Sequence, residues 1–242
     1  MPNNPFLKDY ANMYDLFYKD KDYGKEIGFL DKVFKEHKVK SVLDIACGTG
    51  NHIIGLHKLG YQVRGRDISE DMIKIAQAKN KDIPFQVIDM VGDWKDKFIA
   101  VSRWDAIICM FSSIGYLKEL LYVKQLLYKI YEHLVPKGIF VFDFWNKPCV
   151  LKNYKQYRKH DHREAFTSLD NDVAKIEMVF GSDKKVETHY MRYFNPVRLK
   201  LLLEEVGFAV KMFPFMEPDK PITDEDWSIQ AICLKPVWSS QP

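Results

Sequence analysis

Residues 42–50 read Val-Leu-Asp-Ile-Ala-Cys-Gly-Thr-Gly, an apolar β-branched run that carries an acid and then turns through two glycines. Asn51-His52-Ile53-Ile54-Gly55-Leu56 opens a helical pattern behind it. A strand, a glycine turn and a helix in that order can hold a nucleotide. Glycines let the backbone approach a ligand closely, and the helix N-terminus offers free N–H groups to an anionic group. Asp44, Ala46, Cys47, Gly48 and Gly50 are therefore the first candidate binding residues. The spacing excludes two ligands: a dinucleotide turn needs a third glycine where Ile53 stands, and an NTPase phosphate loop needs a Lys-Ser or Lys-Thr pair that does not follow.

Two more acids extend the site. Gln62-Val63-Arg64-Gly65-Arg66-Asp67 reads as a second strand, and Asp67 stands where a carboxylate accepts from both ribose hydroxyls in doubly wound nucleotide folds. Ser69 caps the next helix, with Ile68 and Met72 beside it and Glu70 and Asp71 suited to its positive end. Phe85-Gln86-Val87-Ile88 then runs into Asp89-Met90. Acids at three successive strand ends are hard to obtain by chance.

These residues need a scaffold, and the hydrophobic periodicity predicts one. Helices are expected over Lys8 to Phe17 and Gly24 to His37, followed by strands at 41–46, 62–66, 84–88, 104–110 and 138–144 alternating with helices. The helix from Glu119 to Leu134 should stop before Pro136-Lys137-Gly138. Such alternation implies a parallel sheet with right-handed crossovers, whose ligands lie beyond the carboxyl ends of the strands. From Asn146 to Phe194 the pattern changes, and 173–180 and 186–193 around Gly181-Ser-Asp-Lys-Lys read as a hairpin. A helix over Pro196 to Val206, strands at 208–213 and 227–234, and a frayed tail after Lys235 complete the chain.

With the elements placed, 44–50 resembles motif I of the class I S-adenosylmethionine-dependent methyltransferases, with Ala46 where many members carry a first glycine. The resemblance covers roughly residues 10–145. It implies an α/β fold with a doubly wound, Rossmann-like sheet, mostly parallel with an antiparallel last strand, and an antiparallel β insert covering the active site. It further implies one domain over 1–242, divided into lid helices 1–37, a cofactor core 38–145, the insert 146–195 and completion of the sheet by 196–235. S-adenosylmethionine is the implied cofactor, with Asp89 and Met90 at its adenine, Met110 at the end of the fourth strand, and Tyr14 and Tyr23 of the lid reaching its methionine moiety.

Two segments, Met110-Phe-Ser-Ser-Ile-Gly-Tyr-Leu117 and Tyr14-Asp-Leu-Phe-Tyr18 followed by Lys21-Asp22-Tyr23, look like those of N-methyltransferases acting on nucleotide-linked amino sugars. That likeness makes Tyr116 the candidate catalytic residue, since those enzymes carry an aromatic or His side chain there. Glu177, His189, Tyr190 and Tyr193 form a wider pool, of which strand alternation exposes about half. One departure stands out: the fifth strand ends Asp143-Phe144-Trp145-Asn146-Lys147 instead of in an acidic, tryptophan-rich segment. The expected reaction is methyl transfer to a small-molecule acceptor, foremost the amine of a nucleotide-linked or other sugar. Another small amine or hydroxyl, a tRNA base, or a SAM-binding regulatory role without transfer are the alternatives.

Composition narrows these. At 242 residues and 47% hydrophobic content the chain can bury a full core. No run of about 18 apolar residues and no signal peptide is evident, so a soluble, cytoplasmic protein is expected. Cys47, Cys109, Cys149 and Cys233 are scattered, which predicts reduced thiols and no metal site. A net charge of +3, with no Asn-Pro-Pro-Tyr run at the fourth strand, argues against nucleic acid. Lys147, Lys152, Lys155, Arg158, Lys159 and Arg163 nonetheless crowd one segment that suits a diphosphate, RNA or plain solvent. His160-Asp161-His162 within it would point two imidazoles the same way on an extended strand but lacks a third ligand. Exposed hairpin edges permit a homodimer.

Overall fold

The computed structural model describes residues 8–94 and 103–237. In chain order the elements are α1 (Lys8–Phe17), α2 (Tyr23–Glu36), β1 (Ser41–Asp44), α3 (Asn51–Lys58), β2 (Gln62–Asp67), α4 (Glu70–Lys79), β3 (Phe85–Val87) and β4 (Trp104–Cys109). A 3-10 turn, Ser113–Tyr116, leads to α5 (Leu120–His133) and β5 (Leu134–Trp145). Then come α6 (Lys147–Asn153), β6 (Tyr157–His160), β7 (Arg163–Asp170), β8 (Val173–Phe180), β9 (Lys185–Arg192), α7 (Pro196–Val206), β10 (Ala209–Pro214) and β11 (Ser228–Leu234). The frayed tail expected after Lys235 falls mainly on 238–242, outside the described residues.

Seven strands form one sheet in the order β10-β11-β5-β4-β1-β2-β3. β1 pairs in parallel with both β2 and β4, and β11 runs antiparallel to β5 and β10. Both faces are covered, so the central strands are apolar without interruption. Alternate residues feed two cores: Leu43, Ile107, Phe140 and Phe142 pack with α5 and α7, while Val42, Ala106, Ile108 and Val141 pack with α2 and α3. The chain leaves β1 for β2 and β3 on one side and returns to β4 and β5 on the other. That reversal opens a crevice beyond the carboxyl ends of β1 and β4.

One expectation needs correction and one needs extension. β5 begins at Leu134, and Pro136-Lys137-Gly138 lies within it: Leu134 pairs with Trp104 and Ile139 with Ala106, so the extra residues bulge out, with Lys137 at φ 66°. A bulge uses the same residue types as a turn, which is why the segment reads as a stop. Beyond the fifth strand the expected hairpin is present as β8 and β9, and two further strands the sequence did not resolve, β6 and β7, extend it to a four-stranded antiparallel sheet, β6-β7-β8-β9. Its inner face packs Ala165, Met178 and Phe180 against Tyr10 and Ala11 of α1 and Met72 of α4. α1 is thus held between the insert and the core.

Candidate functional site

The glycine turn after β1 is shaped by its own backbone demands. Gly48 and Gly50 adopt φ of 52° and 86°. A Cβ on Gly50 would meet Ile54, Ala76 and Phe85 at 3.1–3.3 Å, whereas one on Gly48 would meet nothing within 4 Å. Gly50 therefore serves packing and Gly48 leaves open space above the turn. Asp44 accepts from Ala46 N–H at 3.1 Å, and Asp67 accepts from Gly48 N–H at 2.8 Å and Ser69 N–H at 2.9 Å. Burial pushes both carboxyls up, Asp44 to about 7, against the pull of His52 and the Ala46 N–H. A carboxylate has about four acceptor positions, so Asp67 keeps capacity for a diol.

A cleft opens above the turn, lined by Tyr14, Tyr23, Ala46, Cys47, Gly48, Thr49, Asn51, His52, Met110, Phe111 and Ser113. Six residues chosen from sequence, Tyr14, Tyr23, Ala46, Cys47, Gly48 and Met110, are thus brought together. Asp67, Ile68 and Met72 continue along the end of β2, and Asp89 and Met90 along β3, outside the enclosed part. Asp89 accepts from Val91 N–H at 3.0 Å, Met90 C=O accepts from Trp94 Nε1 at 3.0 Å, and Met72 is buried under α1. Asp44 lies beneath the turn. Burial raises the Cys47 thiol well above its ordinary value, so it is no nucleophile.

Sequence reasoning missed Thr49, Asn51 and His52 as cleft walls, although Thr49 lies within the glycine motif itself and Asn51 follows it directly. It also missed the latch of α1. Asp15 accepts from Thr49 Oγ1 at 2.7 Å and Asn51 Nδ2 at 3.0 Å, and pairs with Lys79 at 2.6 Å. Burial would raise its carboxyl, yet these contacts hold it below the usual range. Tyr14 lies on the helix so latched and hydrogen-bonds Tyr23 at the start of α2.

The other wall follows β4. Phe111 and Ser112 sit at φ 62° and 56°, a left-handed pair that costs about 1–3 kcal/mol per residue. Ser112 Oγ donates to Asp143 Oδ2 at 2.8 Å, and Ser228 Oγ reaches the same oxygen at 3.2 Å, so the carboxylate ending β5 holds the turn. The following 3-10 turn packs tightly under β9, where a Cβ on Gly115 would approach Arg192 C=O to 2.9 Å. Tyr116 Oη lies 3.1 Å from His189 Nδ1, and the His189 ring lies 4.9 Å from that of Tyr10. Burial, helped by Arg163, pulls His189 down to about 4. Burial, then Tyr18, Asp67 and Glu187, raises the Tyr116 phenol well above its ordinary value. A neutral imidazole can then accept from a protonated phenol at every physiological pH.

Of the wider pool, His189 is buried on the inner face of the insert. Glu177 pairs with Lys175 and Tyr190 lies under Lys118, both on the outer face. Tyr193 is buried against Val150 and Ala174. The basic segment disperses: Lys147 pairs with Asp172, Lys152 with Glu225, Arg158 stacks on Trp227, and Arg163 lies over Phe17 and Tyr18. His160 ends β6 and His162 lies in the turn to β7, so the two are not on one strand. Among the described residues no group of three or more His, Cys, Asp or Glu could hold a metal ion, and no helix is long and apolar enough to cross a membrane.

Comparison with known proteins assigns this geometry. A family model described as a methyltransferase domain matches residues 42–138. A dTDP-3-amino-3,4,6-trideoxy-alpha-D-glucopyranose N,N-dimethyltransferase of Streptomyces venezuelae is 34% identical over 214 residues, covering 83% of this chain and 86% of that one. The chain belongs to the S-adenosylmethionine-dependent methyltransferases. A dTDP-3-amino-3,6-dideoxy-alpha-D-glucopyranose N,N-dimethyltransferase of Streptomyces fradiae is 29% identical over 231 residues, 88% of this chain and 89% of that one. The crystal structure of an S-adenosylmethionine-dependent methyltransferase from Clostridium acetobutylicum ATCC 824 shares the fold with a TM-score of 0.81 at 19% identity, covering 95% of this chain and 98% of that one. The cofactor of this methyltransferase is S-adenosylmethionine. The residues present fit it: open space over Gly48, a carboxylate with spare acceptor capacity at the end of β2, and a cleft of hydroxyls and rings between β1 and β4.

Proposed function

We propose that this methyltransferase acts on the amine of a nucleotide-linked amino sugar, in the cytoplasm. The observation that carries the reading is the likeness to two dTDP-amino-sugar dimethyltransferases over more than four-fifths of each chain. Its acceptor wall is Tyr116 with His189 and Tyr10.

S-adenosylmethionine supplies a methyl group already activated by its sulfonium charge, so orientation of the acceptor provides most of the acceleration. Asp67 would hold the ribose, Asp89 and Met90 the adenine, and Tyr14 and Tyr23 the methionine half. Gly48, the backbone of Ala46 and Cys47, and Met110 would line its seat. Tyr116 is the catalytic residue. With its O–H donated to His189, the phenol oxygen turns its lone pairs to the acceptor and takes an amine N–H, which aims the nitrogen lone pair at the methyl group. The amine must arrive unprotonated, and a nearby positive charge lowers its pKa toward that state. α1 and the insert exclude water from the transfer.

The test is conversion of S-adenosylmethionine to S-adenosylhomocysteine with a panel of acceptors: a dTDP-linked 3-amino sugar, the free amino sugar, an amino acid and bulk tRNA. The expected result is turnover with the dTDP-linked sugar above all others, with one or two methyl groups gained at nitrogen by mass spectrometry. Turnover with RNA alone, or methylation at oxygen, contradicts it.

A further inference from the structure

Asp143, near the end of β5, is bonded on one side only. Ser112 Oγ donates to its Oδ2 at 2.8 Å and Ser228 Oγ to the same oxygen at 3.2 Å, while the buried Oδ1 has no hydrogen-bond partner among the described residues. Gln230 of β11 stands directly across from it and is fully buried. Its Nε2 donates to Phe142 C=O at 2.8 Å, and its Oε1 likewise has no partner among the described residues. Exchanging the two amide atoms would only set Oε1 against that carbonyl. Directly opposed residues share a face with Cβ atoms about 5 Å apart, so two buried oxygens that each need a hydrogen are left together.

An ionised carboxylate has no hydrogen to give, and both of its oxygens seek donors. Here both hydroxyls converge on one oxygen and leave the other bare. That is the pattern of a carboxylic acid, whose carbonyl oxygen accepts and whose hydroxyl oxygen donates. Burial raises the Asp143 carboxyl above its ordinary value, with Ser112 pulling the other way and Glu26 and Lys21 acting in opposite directions. A neutral acid is also spared the cost of a buried charge.

Ser112 joins this group to the acceptor wall. Its left-handed backbone starts the 3-10 turn, and its C=O accepts from Gly115 N–H at 2.9 Å, one residue before Tyr116. We propose that Asp143 is held as a neutral acid, with Oδ1–H on Gln230 Oε1, and that through Ser112 it is the positioning residue that aims Tyr116 at His189. The absence of charge matters to the reaction. A carboxylate behind the wall would favour the protonated amine, which has no lone pair for the methyl group, whereas the acid clasps the turn without that effect. The importance of Tyr116 for transfer rests on the acceptor reading above; the proton on Asp143 and the aim of Tyr116 do not.

The experiment has two readouts on the full chain, and neither uses an acceptor. The infrared difference spectrum of wild type minus Asp143→Asn at neutral pH is expected to show the C=O band of a carboxylic acid. Carboxylate bands in its place, as a water bridging the two bare oxygens would leave, overturn the neutral acid. The second readout is the nitrogen-15 shift of His189 Nδ1, which reports the hydrogen bond from Tyr116. Asp143→Leu should move it to the value found in Tyr116→Phe, and Asp143→Asn should keep the wild-type value, because an amide still gives Gln230 a donor and Ser112 an acceptor. Ser112→Ala, which removes a single donor, should move the shift in the same direction and stands in if the Leu variant does not fold. A wild-type shift in the Leu and Ala variants, or the Tyr116→Phe value in Asp143→Asn, overturns the positioning role. Failure of the proposed function would show separately, as absence of turnover in the acceptor panel.

Discussion

On the proposed cofactor side of the site, backbone groups carry the geometry: Gly48 and Ser69 N–H are fixed by Asp67, Ala46 N–H by Asp44, and all of them lie within 26 residues of one another along the chain. On the proposed acceptor side, side chains from separate elements carry it, since Tyr10, Tyr116 and His189 come from α1, the 3-10 turn and β9. A parallel sheet places every strand end at one edge, so a local motif is enough to build the first half. The second half exists only when the insert folds back over the core. The same enzyme class can therefore keep its cofactor turn while the acceptor wall changes.

The contrast predicts that damage to the turn removes cofactor binding outright. Gly50→Val places a β-branched side chain at φ 86° against neighbours 3.1–3.3 Å from its Cβ. It should lower stability by about 3 kcal/mol and abolish S-adenosylmethionine binding, by denaturant unfolding and calorimetry.

Acid should damage the acceptor side instead. His189 is held at about 4 when folded and returns to about 6.5 when unfolded. A lowered imidazole pKa contributes stability above the unfolded value, and that contribution is lost as pH falls from about 6.5 through about 4. Linkage caps the loss at about 3 kcal/mol. His189→Phe should flatten the stability profile in that window, and an unchanged profile would place the protonated ring comfortably inside the fold.

Smaller effects sharpen the division further. Tyr116→Phe keeps the ring and removes the hydroxyl, so kcat with the dTDP-linked amine should drop about 100-fold. Asp15→Ala opens the latch of α1. Because the Asp15 side chain is 42% exposed, the loss is modest, a rise in Kd for S-adenosylmethionine of about two- to fivefold, visible as faster dissociation.

The same contrast decides what could be read from the sequence. The parallel strands are legible because burial on both faces leaves uninterrupted apolar runs such as Val42-Leu43 and Ile107-Ile108. α1 and α7 stand where periodicity and caps put them: Lys8–Phe17, and Pro196–Val206 with Gly207 at its end. β6 was illegible because Tyr-Arg-Lys-His is exposed at all four positions and shows no alternation. β7 buries only Ala165 outright, so its pattern is nearly as weak. Within the site, acids at strand ends announce themselves, whereas Glu26–His52 and Ser112–Asp143 join residues 26 and 31 positions apart with no local trace. Contacts made by tertiary folding leave no mark on neighbouring residues.

The division itself is tested most directly by calorimetric titration of S-adenosylmethionine into the wild type, Asp67→Ala and Tyr116→Phe. Binding by the wild type and Tyr116→Phe with equal affinity, together with a loss of at least about tenfold in Asp67→Ala, is the predicted result. Loss of binding in both variants, or retention in both, would contradict a cofactor side that stands apart from the acceptor wall.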